Sequence, residues 1–158
     1  MTIFLEIAPA FEQSSDLPNF DRCILTTLED QGVLIESEIT IVVDNDERIR
    51  KLNHEFLGQD VPTDVLAFPA GHVDPDTGNP YLGDVIISYP RAKAQADAAN
   101  HPISSELCLL TIHGVLHLLG HDHDRSDLKS EMWIAQAQIL TKLGVQVNSP
   151  EFSTLSEY

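Results

Sequence analysis

The sequence predicts a single α+β domain, a small mixed sheet of four strands with about five helices packed around it. Three observations predict it. Short β-branched runs recur between longer stretches whose apolar residues follow the helical period. Gly32, Gly58, Pro69, Pro90 and Gly144 fall at the joints between these stretches. The 158 residues suit one domain with a full core, without repeats, low-complexity tracts or an internal linker. The domain is expected over residues 1–147, with a polar tail over 148–158.

Residues 2–7 are short, apolar and β-branched, which predicts a strand. The polar stretch 9–18 connects it to a helix over 20–30. Asn19 is a suitable cap for that helix, and Phe20, Cys23, Ile24 and Leu28 supply its buried stripe. Residues 38–43 alternate as a second strand. Asp44, with Glu47 three residues on, predicts a capped helix start. That helix runs to about residue 57, burying Ile49, Leu52 and Phe56, and Gly58 closes it. Residues 65–68 form a strand between Pro62 and Pro69, which predicts a place at the sheet edge. Residues 71–80 read as a loop or hairpin turn, and 83–88 as the fourth strand. Pro90 starts an alanine-rich helix to about residue 99. Ser104 or Ser105 then caps a helix with Glu106 in its first turn and Leu107, Leu110, Val115 and Leu118 buried. Ser126 caps the last helix, whose Leu128, Met132, Ala135, Ile139 and Leu143 keep helical spacing.

The chemistry is concentrated in residues 113–123, His-Gly-Val-Leu-His-Leu-Leu-Gly-His-Asp-His. This has the form H-x-x-x-H-x-x-G-x-x-H. Two imidazoles four residues apart share one helix face, with Cβ atoms roughly 5–6 Å apart. Gly120 can end the helix in the left-handed conformation, so the chain can turn and return a third imidazole. Three neutral nitrogens with an open fourth position suit a catalytic zinc ion. The expected ligands are His113, His117 and His123, a three-histidine, zincin-like site at the end of a core helix. His121 is the alternative third ligand; the spacing favours His123. Asp122, and His121 if it does not ligate, are expected just outside the ligand set, where a carboxylate fixes the tautomer of a ligating imidazole. Asp124 suits a turn or a cap equally well.

The spacing is that of the metzincin peptidases, but their second position is the glutamate that serves as general base, and here it is Gly114. The cage is kept and the peptidase base is absent. A three-histidine cage still lowers the pKa of bound water to about 7, so hydrolysis stays open while peptide hydrolysis loses its main support. His54 and His72 are expected on the surface and His101 in a turn, since a lone histidine outside a spaced motif says little.

Residues 113–123 resemble the signature of the bacterial YbeY family, the single-strand-specific endoribonucleases of ribosomal RNA maturation. Residues 52–69, Leu-Asn-His-Glu-Phe-Leu-Gly-Gln-Asp-Val-Pro-Thr-Asp-Val-Leu-Ala-Phe-Pro, resemble a second family segment. Residues 82–88, Leu-Gly-Asp-Val-Ile-Ile-Ser, resemble a third. The likeness runs in order over about residues 35–144. It implies a mixed sheet with a histidine-bearing helix beneath it, and one zinc ion per chain on His113, His117 and His123. It implies a metal-dependent endoribonuclease acting on the 3′ end of small-subunit ribosomal RNA and in ribosome quality control, with ribosomal RNA and the small subunit as partners. The chain departs from the pattern at Leu57, where most members carry a phosphate-positioning arginine. It departs also at Leu109, where many carry histidine, and at His121, where an aromatic residue is usual. Arg48, Arg50 and Arg91 are the candidates to take over the phosphate contact. Two rival readings are a zinc peptidase-like hydrolase and a non-catalytic small-subunit assembly factor with a structural zinc.

Lys and Arg total 9 against 25 Asp and Glu, a formal charge of −16. Such a field repels phosphate, so any cationic track must be local. Cys23 and Cys108 lack metal-pair spacing, can form at most one disulfide, and read as small buried residues in a reducing compartment. The first residues lack the basic start of a secretory signal, and no apolar run reaches about 18 residues. A cytoplasmic place is expected, with no membrane partner.

Overall fold

Parallel strands cannot be joined by a tight turn, so helices carry this chain between its parallel strands. The computed structural model describes residues 1–33, 36–122 and 125–148, apart from the Ser126 side chain. Its elements are β1 (Thr2–Ile7), α1 (Phe20–Asp30), β2 (Glu38–Asp44), α2 (Asp46–Leu57), β3 (Val65–Val73), β4 (Pro80–Ser88), α3 (Tyr89–Ala99), α4 (Ile103–Leu118) and α5 (Ser126–Leu143). The sheet order is β1-β2-β4-β3. β1 and β4 both run parallel to β2, and β3 runs antiparallel to β4. β3 is therefore an outer strand, as its flanking prolines predict.

Alternate strand residues point to opposite faces, and both faces are covered. Ile39, Ile41 and Val43 of β2 join Val85 and Ile87 of β4 in the main core, with residues of α1, α4 and α5. Val42, Leu66 and Ile86 point the other way and pack with Ile49 of α2. α4 lies in the middle of the larger layer: residues 106–116 are all buried. A helix buried on every side reads as a continuous apolar run, which explains why its outward positions carry Leu and Ile as well.

Several local expectations need correction. The side chain capping α2 is Asn45, which accepts from the Arg48 amide at 2.9 Å; Asp44 ends β2. Phe56 is 60% exposed, and the buried place near it belongs to Asn53, whose amide donates to the Val61 carbonyl at 2.9 Å. β3 runs past Pro69, with a register shift between Pro69 and His72, so the hairpin turn is confined to residues 74–79. An outer strand tolerates a proline and a bulge that a central strand would not. α4 has no side-chain cap: Pro102 precedes it in extended conformation, and its carbonyl accepts from the Ser105 and Glu106 amides. α5 likewise has Arg125 at its cap position with no side-chain cap bond, and Ser126 is its first residue. Among the described residues, no helix is long and apolar enough to cross a membrane.

Candidate metal centre

His113 and His117 stand one turn apart near the C-terminal end of α4, on a helix held rigid by burial. The His113 side chain is fully buried and His117 is half-buried. Their Nε2 atoms approach to 3.1 Å, with the rings nearly perpendicular at 77°. Nδ1 of His113 lies 2.7 Å from Oε1 of Gln136 on α5. An amide oxygen only accepts, so Nδ1 carries the proton and Nε2 of His113 presents its lone pair toward His117. Gln136 is itself fully buried, and its Nε2 has no hydrogen-bond partner among the described residues. An orphaned buried donor costs about 1–3 kcal/mol, so this glutamine is held for its oxygen, at the expense of stability.

α5 supplies more of the surroundings. The Trp133 ring lies 6.1 Å from the His113 ring, and Lys129 Nζ sits 5.6 Å from the Trp133 centroid. None of Gln136, Trp133 and Lys129 is singled out by the sequence reading. A signal existed for Gln136: it falls on the stripe of Met132, Ile139 and Leu143, where every neighbour is apolar and buried.

Gly120 ends α4 as the motif predicts, with φ of 98°. The Gly120 amide donates to the His117 carbonyl and the His121 amide to the Leu116 carbonyl, both at 3.0 Å, a Schellman closure. The chain therefore turns immediately after the second histidine. His121 then leaves the pair: its Nε2 lies 2.7 Å from Oε1 of Gln31, the residue that ends α1. Asp122 is half-buried beside it. His123 and Asp124 lie outside the described residues, so the third ligand stays an expectation of the motif.

Gly114 has a packing reason. A Cβ there would stand 2.5 Å from Cγ1 of Val85, so the missing side chain lets α4 lie against β4. The position that carries the general base in the metzincins here faces a strand.

The three candidate arginines are each engaged with an acid. Arg48 is 3.3 Å from Asp44 and borders a groove of about 420 Å³ lined by Val42, Phe68, Ile86, Glu6 and Asp84. Val42 and Ile86 face α2, so this groove lies across the sheet from α4. Arg50 pairs with Glu47 at 2.8 Å and with Asp60, and Arg91 with Asp46 at 3.4 Å. Leu57, at the family's arginine position, is 44% exposed at the end of α2.

The first turn of α4 holds a second group that sequence reasoning placed but did not bury. Glu106 is fully buried, and neither carboxyl oxygen has a hydrogen-bond partner among the described residues. Desolvation, then the nearby Asp64, push its carboxyl up to about 7. His101 Nε2 lies 3.4 Å away, and burial holds that imidazole below its ordinary value. His101 Nδ1 accepts from the amide of Asn148, the first residue of the expected tail.

The family model described as Endoribonuclease YbeY matches residues 10–144. A Bacillus licheniformis protein named Endoribonuclease YbeY is 36% identical over 140 residues, covering 84% of this chain and 89% of its own. A Heliobacterium modesticaldum protein of that name is 38% identical over 149 residues, covering 88% and 89%. One from Dehalococcoides mccartyi is 40% identical over 135 residues, covering 78% of each. A solution structure of a Thermotoga maritima protein superposes with a TM-score of 0.55 at 23% identity, covering 91% of this chain and 92% of the other, which shows a shared fold.

Proposed function

The chain belongs to the YbeY family, and from that premise we propose that it is a zinc-dependent, single-strand-specific endoribonuclease acting on ribosomal RNA. The observation that carries the reading is the 3.1 Å approach of two imidazole Nε2 atoms on a buried helix. Two nitrogens bound to one tetrahedral zinc, at bonds of about 2.0–2.1 Å, stand about 3.3 Å apart. The donor set suits the ion: Gln136 holds His113 in the tautomer whose Nε2 can ligate. His123 is proposed as the third ligand, with Asp122 as a carboxylate that fixes the tautomer of a ligating imidazole. When bound, zinc supplies Lewis acidity toward a phosphate oxygen and lowers the pKa of water to about 7.

The chain's own residues supply rigidity and a half-open site, with His113 sealed in the core and His117 toward solvent. Gly114 against Val85 supports a nuclease over a peptidase, because a glutamate at this position would meet the sheet. A phosphate role for Arg48, Arg50 or Arg91 requires each to leave its acidic partner. Alanine variants of all three that cleave like the wild type would end that role. From the family resemblance, the substrate is the 3′ end of small-subunit ribosomal RNA, the partner the small subunit, the wider task ribosome quality control, and the place the cytoplasm.

The test compares cleavage of a labelled single-stranded RNA by zinc-loaded protein, chelated protein and a His117→Ala variant. Cleavage by the loaded wild type alone is the expected result. Equal cleavage by all three overturns metal dependence. No cleavage by any of them, with zinc bound, favours the assembly-factor reading.

A further inference from the structure

We propose that Cys23 and Cys108 form a thiol pair that closes reversibly to an intramolecular disulfide, tying α1 to the helix that carries His113 and His117. The two residues are 85 positions apart, yet the fold brings their Sγ atoms to 2.7 Å. Both are free thiols and both are buried, at 4% and 1% exposure. A disulfide bond of about 2.0 Å needs the sulfurs to close by well under one ångström, so the helices need not move apart or re-register. Burial does not isolate the pair. A cavity of about 190 Å³ reaches both cysteines, lined as well by Asn19, Arg22, Ser104, Leu143 and Val145, and it gives a small oxidant a path to the pair.

The two thiols are chemically unequal. The hydrogen bond shared with Cys108, aided by the Arg22 guanidinium, pulls the Cys23 thiol below its ordinary value against the effect of burial. The same hydrogen bond and burial push Cys108 up. Cys23, the more exposed of the two and next in the chain to Arg22 at the cavity, is assigned as the thiol that reacts first, with Cys108 as the resolving thiol beside it. With hydrogen peroxide as oxidant, Cys23 Sγ attacks one peroxide oxygen: an S–O bond forms, the O–O bond breaks, and the departing hydroxide takes a proton to become water. Cys108 Sγ then attacks the Cys23 sulfur of the sulfenic acid: the S–S bond forms, the S–O bond breaks, and the second water leaves with the Cys108 proton. Two thiols lose two electrons, and one peroxide becomes two waters.

The bond would matter because α1 already meets the motif at a second point, where Gln31 holds His121 at 2.7 Å. A covalent tie at Cys108, five residues before His113, fixes the upper end of the same contact. Cross-linking across so long a loop also restricts the unfolded chain, so the oxidised form should melt higher.

The experiment treats the reduced full-length protein with hydrogen peroxide, and does not depend on the nuclease reading. Thiols are then counted in denaturant, intact mass is taken without reductant, and thermal unfolding is followed. The expected result is a monomer lighter by two hydrogens, with both thiols lost, a raised melting temperature, and full reversal by dithiothreitol. In a Cys108→Ser variant, Cys23 should stop at the sulfenic acid and be trapped by dimedone. Two thiols still countable in the treated wild type overturn the proposal. So does added oxygen without loss of Cys108, or a disulfide only between chains. If the variant does not fold, the wild-type thiol count and mass decide alone.

Discussion

Glu106 is a carboxyl buried with no hydrogen-bond donor among the described residues, and its cost depends on pH. Its folded pKa of about 7 lies above its ordinary value of 4.5, so the folded chain holds a proton that the unfolded chain releases. The stability tied to that proton is fully present below about pH 4.5 and is lost as pH rises through about 7. His101 works in the opposite sense, because burial favours its neutral form. A Glu106→Gln variant should therefore gain on the order of 3 kcal/mol at pH 8 and less than about 1 kcal/mol at pH 5, read by thermal melts across pH. Parallel melting curves for the two proteins would show that burial is not what Glu106 pays for. Gln136 makes the complementary case. Gln136→Leu removes the acceptor for His113 and the orphaned Nε2 together. Zinc affinity should fall about 10–100-fold while the metal-free protein melts no lower. Unchanged zinc affinity by competition titration would remove Gln136 from the site. Neither role was legible beforehand, since burial of a single polar residue depends on what packs over it.

At the scale of elements, the contact between α4 and β4 positions the histidines. Gly114→Ala places a methyl 2.5 Å from Cγ1 of the buried Val85, overpacking the contact between α4 and β4. A loss of about 1–3 kcal/mol is expected from chemical denaturation. Adding Val85→Ala should recover part of it, with a coupling above about 0.5 kcal/mol in the double-mutant cycle. Strict additivity would show that the two residues do not press on each other. The elements themselves were largely legible because strand alternation and helical spacing are local patterns. Their ends were less so: Asn45 rather than Asp44 caps α2, and Pro102 rather than a serine precedes α4. Neighbouring polar residues compete for a cap, and the geometry of the incoming chain decides between them.

The whole molecule carries a formal charge of −16, and Arg48, Arg50 and Arg91 are each paired with an acid. Long-range repulsion should therefore slow the encounter with RNA at low ionic strength. Raising salt from about 10 to 100 mM, where the screening length falls from about 30 to 10 Å, should raise kcat/KM for single-stranded RNA. A steady fall with salt would instead place dominant cationic contacts in the substrate path. The sheet puts α2, with Arg48, on one face and α4 on the other.

By itself the sequence determined what lies within reach of local geometry. Histidines four apart on a helix must share a face, Gly120 can take the left-handed turn, and nine periodic stretches must form elements. Their arrangement came from packing. Gln136 meets His113 across 23 residues, Gln31 meets His121 across 90, and Cys23 meets Cys108 across 85. No short-range pattern encodes such meetings, because they depend on strand order and on which helix faces are buried together. Only the tertiary structure could therefore decide that the candidate metal centre is held by α5, that Arg48 lies across the sheet from it, and that two distant cysteines are neighbours.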